Sequence, residues 1–134
     1  MATYNKFNSF VEALAEKVHN LGSDTLKVAL TNSAPAATMT KLSELTGAIA
    51  SPALDSVTLT VSSSSQTSGT YKLVVADKTM TASGAVGPFR YVAIYNDTAT
   101  NDELICWYDY GSAVTLASGD TFKLDFGTEL LSIA

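Results

Sequence analysis

The sequence has little of the chemistry on which most enzymes depend. Its 134 residues include one cysteine, Cys106, and one histidine, His19. A single cysteine excludes an internal disulfide and a multi-cysteine zinc site, and a single histidine leaves any nucleophile with one candidate base. The patterns G-x-S-x-G, G-x-x-x-x-G-K-[ST] and G-x-G-x-x-G do not occur. We therefore expect no catalytic residue, no metal and no cofactor.

Positive charge and long apolar runs are also scarce. The chain has 8 basic and 13 acidic residues, a formal net charge of −5, and its basic residues stand singly. This distribution argues against a phosphate-binding face, so no direct nucleic-acid partner is expected. No apolar run approaches the roughly 20 residues that span a bilayer, and no basic segment followed by an apolar block begins the sequence. We expect neither a membrane span nor a signal peptide.

Hydroxyl side chains are abundant instead. Serine and threonine together supply 32 residues, whereas charged residues make up 16% and hydrophobic residues 46% of the chain. Threonine fits the pleated surface of a strand, and a polar surface with few charges suits contacts with other subunits. The length predicts one domain, residues 1–134.

Residues 5–21 carry the one strong helical pattern. A capping-box pair, Ser9 with Glu12, and Gly22 as the terminating residue fit this helix, although Thr3 or Asn5 would also serve as its start. Its apolar stripe consists of Phe7, Phe10, Val11, Leu14, Val18 and Leu21.

The rest of the chain alternates strand patterns with turn residues. Residues 32–55 are expected to form a loop excursion that Thr40 caps, with one or two helical turns, and that Pro52 closes. The serine tract at residues 62–69 has nothing apolar to bury, which predicts a mobile loop. Strands are predicted at residues 26–31, 57–61, 71–76, 78–82, 89–96, 103–110, 113–116, 121–126 and 129–133.

Residues 89–96 and 103–110 are the most apolar pair of strands, and a turn-rich segment joins them. We expect an antiparallel hairpin covered on both faces, by the N-terminal helix on one side and a second sheet on the other. With Asn96 opposite Glu103, the predicted pairs are Ile94–Ile105, Val92–Trp107, Tyr91–Tyr108 and Arg90–Asp109.

Short strands without intervening helices predict the architecture. We expect a mainly β protein, an antiparallel β-sandwich or jelly-roll-like barrel with one N-terminal amphipathic α-helix. Residues 130–133 form a candidate exposed edge strand, which pairing with a second copy would cover.

Three features of the sequence are candidate chemical sites, namely His19, Cys106 and one acidic loop. His19 is expected on the polar side of the helix near its C-terminal end, where it suits the macrodipole. Cys106, inside an apolar strand, is expected to be a small buried hydrophobe with a raised pKa. Asp97, Asp102 and Glu103 flank one loop and would suit calcium if it closed, but turn-forming propensity explains them without a metal.

Two further segments have a structural and a functional interpretation. Tyr108, Asp109 and Tyr110 resemble a sugar platform, but alternation places Asp109 on the face opposite the tyrosines, which favours a strand whose acid pairs with Arg90. Residues 84–87 are too short for a phosphate cradle and are expected to serve a bend before Pro88.

Several segments together resemble a known group of proteins. They are residues 27–35 (KVALTNSAP), 87–97 (GPFRYVAIYND), 107–111 (WYDYG) and 118–122 (SGDTF), with Phe7 and Phe10 in the opening helix. In these segments the chain resembles the small structural proteins of tailed bacteriophages. The resemblance covers most of the sequence and is weakest at residues 39–69.

The resemblance implies a virion protein that decorates and cements the capsid by binding the major capsid protein on the capsid surface. A tail, neck or fibre-associated protein that binds host carbohydrate is the alternative, and a small enzyme or lectin is a third possibility. Self-association is expected, with a trimer favoured because an icosahedral shell has local threefold positions. The segments at residues 34–50 and 62–69 are candidates for ordering on the capsid, or are ordinary surface loops.

Overall fold

The computed structural model describes residues 2–49 and 52–134. Met1, and Ala50 and Ser51 of the predicted excursion, lie outside the described residues. Within them the chain has one α-helix, α1 (Ser9–Ala15), and one short 3₁₀ helix (Leu42–Glu44). Its strands are β1 (Thr3–Lys6), β2 (Leu26–Thr31), β3 (Val61–Thr67), β4 (Thr70–Val75), β5 (Lys78–Thr81), β6 (Val86–Asn96), β7 (Leu104–Leu116), β8 (Thr121–Leu124) and β9 (Leu131–Ile133).

The strands form three antiparallel sheets. A four-stranded sheet has the order β1-β7-β6-β2, a three-stranded sheet the order β3-β4-β9, and β5 pairs with β8 alone. The predictions of a mainly β protein, of antiparallel pairing and of one α-helix near the N-terminus are therefore confirmed. Two of the predicted strands, at residues 103–110 and 113–116, are one continuous strand, β7.

The central hairpin, β6 with β7, starts in the predicted register and then departs from it. The Asn96 N–H donates to the Glu103 carbonyl at 2.9 Å, as predicted for the turn. Beyond it a bulge makes Ile105 the extra residue, so that Ile105 and Cys106 both enter the same buried cluster. The predicted pairs are consequently wrong by one residue, and the observed pairs are Ile94–Cys106, Ala93–Trp107, Val92–Tyr108 and Tyr91–Asp109.

Both faces of the four-stranded sheet are covered, as predicted, but the covering elements differ from the prediction. The three- and two-stranded sheets share one cluster with Phe10 of α1, so helix and sheets lie on the same face. The other face packs against the segment around the 3₁₀ helix, whose Leu45 is buried beside Phe7 and Ala93. This arrangement follows from alternation in β2, where Val28 and Leu30 face one cluster and Ala29 the other.

The predicted helix at residues 5–21 is shorter at both ends. Residues 3–6 form a strand because their backbone pairs with β7. The helix ends in a Schellman motif at Lys17, whose φ is +69°, so Gly22 does not terminate it. In that motif the Val18 N–H bonds the Ala13 carbonyl and the Lys17 N–H bonds the Leu14 carbonyl. The predicted capping box does not form, because the N-cap is Asn8 and it makes no side-chain capping bond.

The serine tract is a strand and not a mobile loop, which contradicts the prediction. β3 pairs with β4 along its length although its serine side chains are exposed. Ser68 and Gly69 have φ values of +51° and +85°, the left-handed pair that a tight two-residue hairpin turn requires. The Ser64 hydroxyl also lies 2.8 Å from the Tyr71 hydroxyl. Backbone pairing, and not apolar burial, holds this segment.

The strand predicted at residues 57–61 is mostly absent, since only Val61 belongs to β3. Residues 57–60 instead run beside β2, where the Leu59 N–H donates to the Leu26 carbonyl at 2.9 Å. In the excursion, Thr40 does not cap the short helix, whose N-cap is Lys41. The Thr40 hydroxyl donates to the Glu44 carboxylate at 2.9 Å. The last residue of the short helix therefore reaches back to the residue before its N-cap and stabilises the turn.

Candidate functional site: an apolar groove between two strand edges

The most prominent concave feature is a groove between β1, α1, β7, β8 and the C-terminal segment. It has two adjoining parts with volumes of about 610 and 970 Å³, and Tyr4, Phe126, Glu129 and Leu130 line both. We call the smaller part the aromatic end and the larger part the helical end. The aromatic end is further lined by Tyr108, Tyr110 and Phe122, and the helical end by Phe10, Val11, Leu14 and Ile133.

Aromatic rings form the floor of the aromatic end. The Tyr4 ring meets the Tyr108 ring edge-on, with centroids 5.7 Å apart, and Tyr108 lies 6.2 Å from Phe126. Tyr110 packs edge-on against Phe122 at 5.4 Å. Edge-to-face packing of this kind holds the rings in fixed orientations, so this end presents a preformed apolar surface.

The groove collects the large apolar side chains that remain exposed. Among the described residues four large hydrophobic side chains are exposed, and all four line it. They are Tyr4 (36% exposed), Val11 (53%), Tyr110 (53%) and Ile133 (40%). Exposed apolar residues gathered in one place, and not scattered, are typical of an interaction surface.

Two strand edges border the helical end. β1 is the outer strand of the four-stranded sheet and β9 the outer strand of the three-stranded sheet. The Phe7 N–H donates to the Ile105 carbonyl, so alternation directs the backbone groups of Thr3 and Asn5 toward β7 and those of Tyr4 and Lys6 away from it. The outward groups of Tyr4 and Lys6 make no backbone hydrogen bond within the described part of the chain. Such an edge is a template for pairing with another strand.

The ionisable groups of the groove are buried phenols and charged side chains at the rim. Burial raises the pKa of the Tyr4 and Tyr108 phenols far above the ordinary value, so both stay protonated at neutral pH. Two of the rim charges are paired at the surface, Glu129 with Lys72 at 3.8 Å and Lys123 with Asp77 at 3.7 Å. The groove therefore offers apolar contact and hydrogen bonds.

The structure separates most of the residues that the sequence singled out. Cys106 is fully buried, and burial raises the pKa of its thiol, as expected. His19 is 4% exposed, so its predicted place on the polar side of the helix is wrong. It lies beyond the end of α1, where its ring packs against Phe10, with centroids 5.4 Å apart.

The acidic loop is held by contacts of its own. Asp97 pairs with Lys27 at 2.9 Å, and the Asn101 amide donates to Glu103 at 3.3 Å. Burial, with the neighbouring Asp97 and Glu103, raises the pKa of Asp102. Across residues 2–49 and 52–134, no three side chains of the His, Cys, Asp and Glu types come together as a ligand set would.

Tyr108, Asp109 and Tyr110 have their side chains on alternate sides of β7, as predicted. Asp109 accepts two hydrogen bonds from Arg90, whereas Tyr108 and Tyr110 both line the aromatic end of the groove. At Gly87, which has a φ of +113°, an added Cβ would lie 2.5 Å from the Val114 carbonyl oxygen. Glycine is required there by backbone proximity, in agreement with a bend before Pro88.

Sequence reasoning missed the groove itself. The helical pattern predicts Val11 in the buried stripe, yet Val11 is half exposed because no element in the described part of the chain covers that side of α1. The same pattern predicts a helix that starts near Tyr4, whereas Tyr4 lies on β1. Of the four exposed apolar residues of the groove, only Tyr110 and Ile133 lie in segments that are correctly predicted as strands. Nothing in the sequence indicates that these two residues share a surface.

No helix in the part of the chain described here is both long and apolar enough to cross a membrane. Comparison of the chain with protein-family models, with curated proteins and with solved structures found no match.

Proposed function

We propose that this protein is a non-enzymatic virion protein of a tailed bacteriophage, which decorates and cements the capsid by binding the major capsid protein on the capsid surface. The observation that carries the binding role is the gathering of exposed apolar side chains between two unpaired strand edges. The phage assignment draws its support from the resemblance of residues 27–35, 87–97, 107–111 and 118–122 to small phage structural proteins.

The occupant that suits this groove is an extended segment of the capsid protein. A polypeptide strand lying along β1 meets the outward backbone groups of Tyr4 and Lys6, while alternate side chains contact the apolar lining. Sugars and nucleotides have no row of amide groups to match such an edge. A cement protein needs this kind of contact, repeated over many lattice positions, more than it needs a deep pocket.

We also propose that the three sheets form a β-sandwich of jelly-roll type. The four-stranded sheet shares one buried cluster with residues of β4, β5, β8 and β9, which supports two facing layers. Such a domain is rigid, and rigidity limits the conformational entropy that is lost when it binds a lattice.

Self-association as a trimer belongs to the same proposal. Edge strands that are free in one copy are protected when they pair or are covered in an assembly, and a trimer matches the local threefold positions of a shell. Sedimentation equilibrium of the free protein and of the released capsid component measures this state directly. If the free protein and the protein released from capsids are both monomeric, the trimer is wrong and only the proposal of capsid binding remains.

One observation favours a second function, that of a tail, neck or fibre-associated protein which binds host carbohydrate. The exposed ring of Tyr110 lines the aromatic end, and Asp125 lines the same part of the groove. An aromatic face and a carboxylate are what a sugar uses for stacking and for hydroxyl contacts. A glycan array at neutral pH tests this alternative, and binding that Tyr110→Ala abolishes would favour it over cementing.

Copy number distinguishes the two placements. Quantitative mass spectrometry of purified particles gives the number of copies of this chain for each copy of the major capsid protein. A simple ratio such as one to one or one to three supports a capsid position. A few copies per hundred would place the protein in the tail, and its absence from particles would overturn the virion proposal.

A matched pair of helix variants tests the groove as the contact. Val11 and Glu12 are adjacent, exposed residues of α1, but only Val11 lines the groove. We expect Val11→Ser to weaken binding to undecorated capsids about five- to thirtyfold, with Glu12→Ser close to the original protein, because truncating an anchoring contact costs about 1 to 2 kcal/mol. Equal binding by both variants would exclude the groove as the contact surface.

A further inference from the structure

His19 belongs to a buried polar cluster that the groove does not use. Its Nδ1 atom lies 2.9 Å from the side-chain nitrogen of Asn96, which also donates to the Asp24 carboxylate at 2.7 Å. The Asn96 side-chain oxygen accepts hydrogen bonds from the N–H groups of Thr98 and Ala99, at 3.0 and 3.2 Å. Asn96 is 0% exposed and 77 residues distant from His19 in the chain. One amide therefore joins the α1–β2 connection to the turn between β6 and β7.

The partners of Asn96 determine its orientation and the protonation of His19. Its oxygen must face the two backbone N–H donors, so its NH₂ group faces His19 and Asp24. The His19 Nδ1 atom then has to accept a hydrogen bond, which requires the neutral ring protonated at Nε2. All the hydrogen-bonding capacity of the Asn96 amide is used in this state.

A charged ring does not fit this position. Protonation would place an Nδ1–H donor 2.9 Å from the NH₂ donor of Asn96. The other ring nitrogen, Nε2, is buried and has no hydrogen-bond partner in the described part of the chain. The neutral ring already leaves its Nε2–H unpaired, and an imidazolium held here would add a second unpaired N–H group and a desolvated charge.

We propose that His19 is an acid-operated latch, whose protonation releases the α1–β2 connection from the β6–β7 turn. On release, the ring moves toward water and the Asn96 bridge between the two segments breaks. The contacts that remain are the buried side chain of Leu21 in the main cluster and two hydrogen bonds. These bonds run from the Asp97 N–H to the Thr25 carbonyl at 2.9 Å and from the Thr25 N–H to the Thr98 hydroxyl at 2.8 Å. Loosening follows and not unfolding, since both sheet faces stay packed.

Two carboxylates near His19 counteract part of the effect that burial has on its pKa. Burial lowers the pKa of His19, while Glu103, at the start of the return strand, and Asp24, in the connection, both act to raise it. The net direction is downward from the ordinary value of 6.5. The unfolded chain therefore binds the proton first as the pH falls. The latch is fully closed above about pH 6.5 and its stabilisation is lost progressively below it.

Release of the latch would change the helical end of the groove, because α1 connects the two. His19 packs against Phe10, and Phe10 lines the helical end together with Val11 and Leu14. A loosened connection, anchored by Leu21 but not by His19, holds the C-terminal end of this helix less firmly against the sheet. This consequence does not depend on which partner occupies the groove.

The single histidine makes the test direct. Long-range ¹H–¹⁵N correlation spectra of the uniformly ¹⁵N-labelled protein report the tautomer and pKa of His19 without overlap from another imidazole. We expect the Nε2–H tautomer at neutral pH and a pKa below 6.5. Hydrogen-exchange protection of the Thr98 and Ala99 amides should fall by up to about tenfold per pH unit between about pH 6.5 and the lowered pKa of the held His19 ring. The Nδ1–H tautomer, a pKa at or above 6.5, or unchanged protection of these amides would each overturn the latch.

Two variants separate His19 from its acidic neighbour. His19→Gln supplies a side-chain acceptor for Asn96 and does not titrate, so the acid-dependent exchange of Thr98 and Ala99 should disappear. Asp24→Asn retains His19 but removes a group that raises the pKa of the held ring, so the loss should still begin near pH 6.5 and extend to lower pH. Loss of the pH dependence in Asp24→Asn with retention in His19→Gln would assign it to the carboxylate and overturn the proposal. The measurements on the unaltered protein decide the question if either variant does not fold.

Discussion

Arg90 and Asp109 form a two-point ion pair across β6 and β7. The Nε and a terminal nitrogen of the guanidinium donate to the two carboxylate oxygens, at 2.8 and 3.0 Å. Asp109 also accepts a hydrogen bond from the Gly111 N–H at 2.8 Å, and Gly111 has a φ of +97°. The fork geometry joins the two longest strands near the middle of the hairpin.

We expect Asp109→Asn to lower the melting temperature by a few degrees, because asparagine retains the bond to Gly111 but not the ion pair. Asp125→Asn is the matched control, since Asp125 accepts the same kind of bond from Gly127 at 2.9 Å. Among the described residues Asp125 has no ion-pair partner. Equal melting temperatures for the two variants at neutral pH would show that the pair contributes nothing measurable.

The same pair predicts a pH dependence. The hydrogen bonds from Arg90 hold the pKa of Asp109 below its ordinary value of 3.8. The stabilisation is therefore present above about pH 4 and is lost as the pH falls through the lowered pKa. The difference in melting temperature between the original protein and Asp109→Asn should be constant from neutral pH to about pH 4 and shrink in stronger acid. A difference that grows in acid would contradict this sign.

Lys17 terminates α1 in a conformation that glycine adopts at less cost. Its φ of +69° places a non-glycine residue in the left-handed region at the C′ position. We expect Lys17→Gly to raise the free energy of unfolding by about 1 kcal/mol, as measured by chemical denaturation. Glu16→Gly is the control, because Glu16 has a φ of −92° and gains nothing from glycine. Stabilisation by both or by neither would contradict the Schellman assignment.

The two sides of β1 should respond differently to proline. Asn5 directs its N–H toward β7 and Lys6 directs its N–H outward. Asn5→Pro should lower the free energy of unfolding by at least about 1 to 3 kcal/mol, since it removes a ladder bond. Lys6→Pro should change it by less than about 0.5 kcal/mol, because proline is tolerated at an outward edge position. If the ranking is reversed, the assignment of the open edge is wrong.

The two covered faces of the four-stranded sheet can be probed through the single tryptophan. The ring of Phe7 lies 4.5 Å from that of Trp107, whereas Phe89 is buried in the other cluster beside Phe122. Phe7→Ala and Phe89→Ala should each lower the free energy of unfolding by about 3 to 5 kcal/mol. Only Phe7→Ala should change the tryptophan emission of the folded protein. An equal spectral change in both would contradict two separate clusters.

The sequence alone was enough to predict most of the strands and one long-range pair. Alternation of Leu26, Val28 and Leu30 predicted β2, and the meeting of the only arginine with Asp109 was correct even though the register was wrong. Side-chain alternation is a property of the strand itself, and the ion pair tolerates a shift of one residue because the arginine side chain is long and flexible.

The remaining features depend on elements that are remote in the sequence. β3 is a strand because β4 supplies its hydrogen-bond partners, although its own serines bury nothing. The bulge at Ile105 exists because the core accommodates two consecutive apolar side chains, and His19 is buried because Asn96 meets it across 77 residues. The groove, in turn, lies where β1 and β9 have no paired strand on their outer sides within the described residues. Periodicity reports which face of an element is apolar, whereas only the tertiary structure decides what covers that face, because burial and backbone pairing are properties of two segments at once.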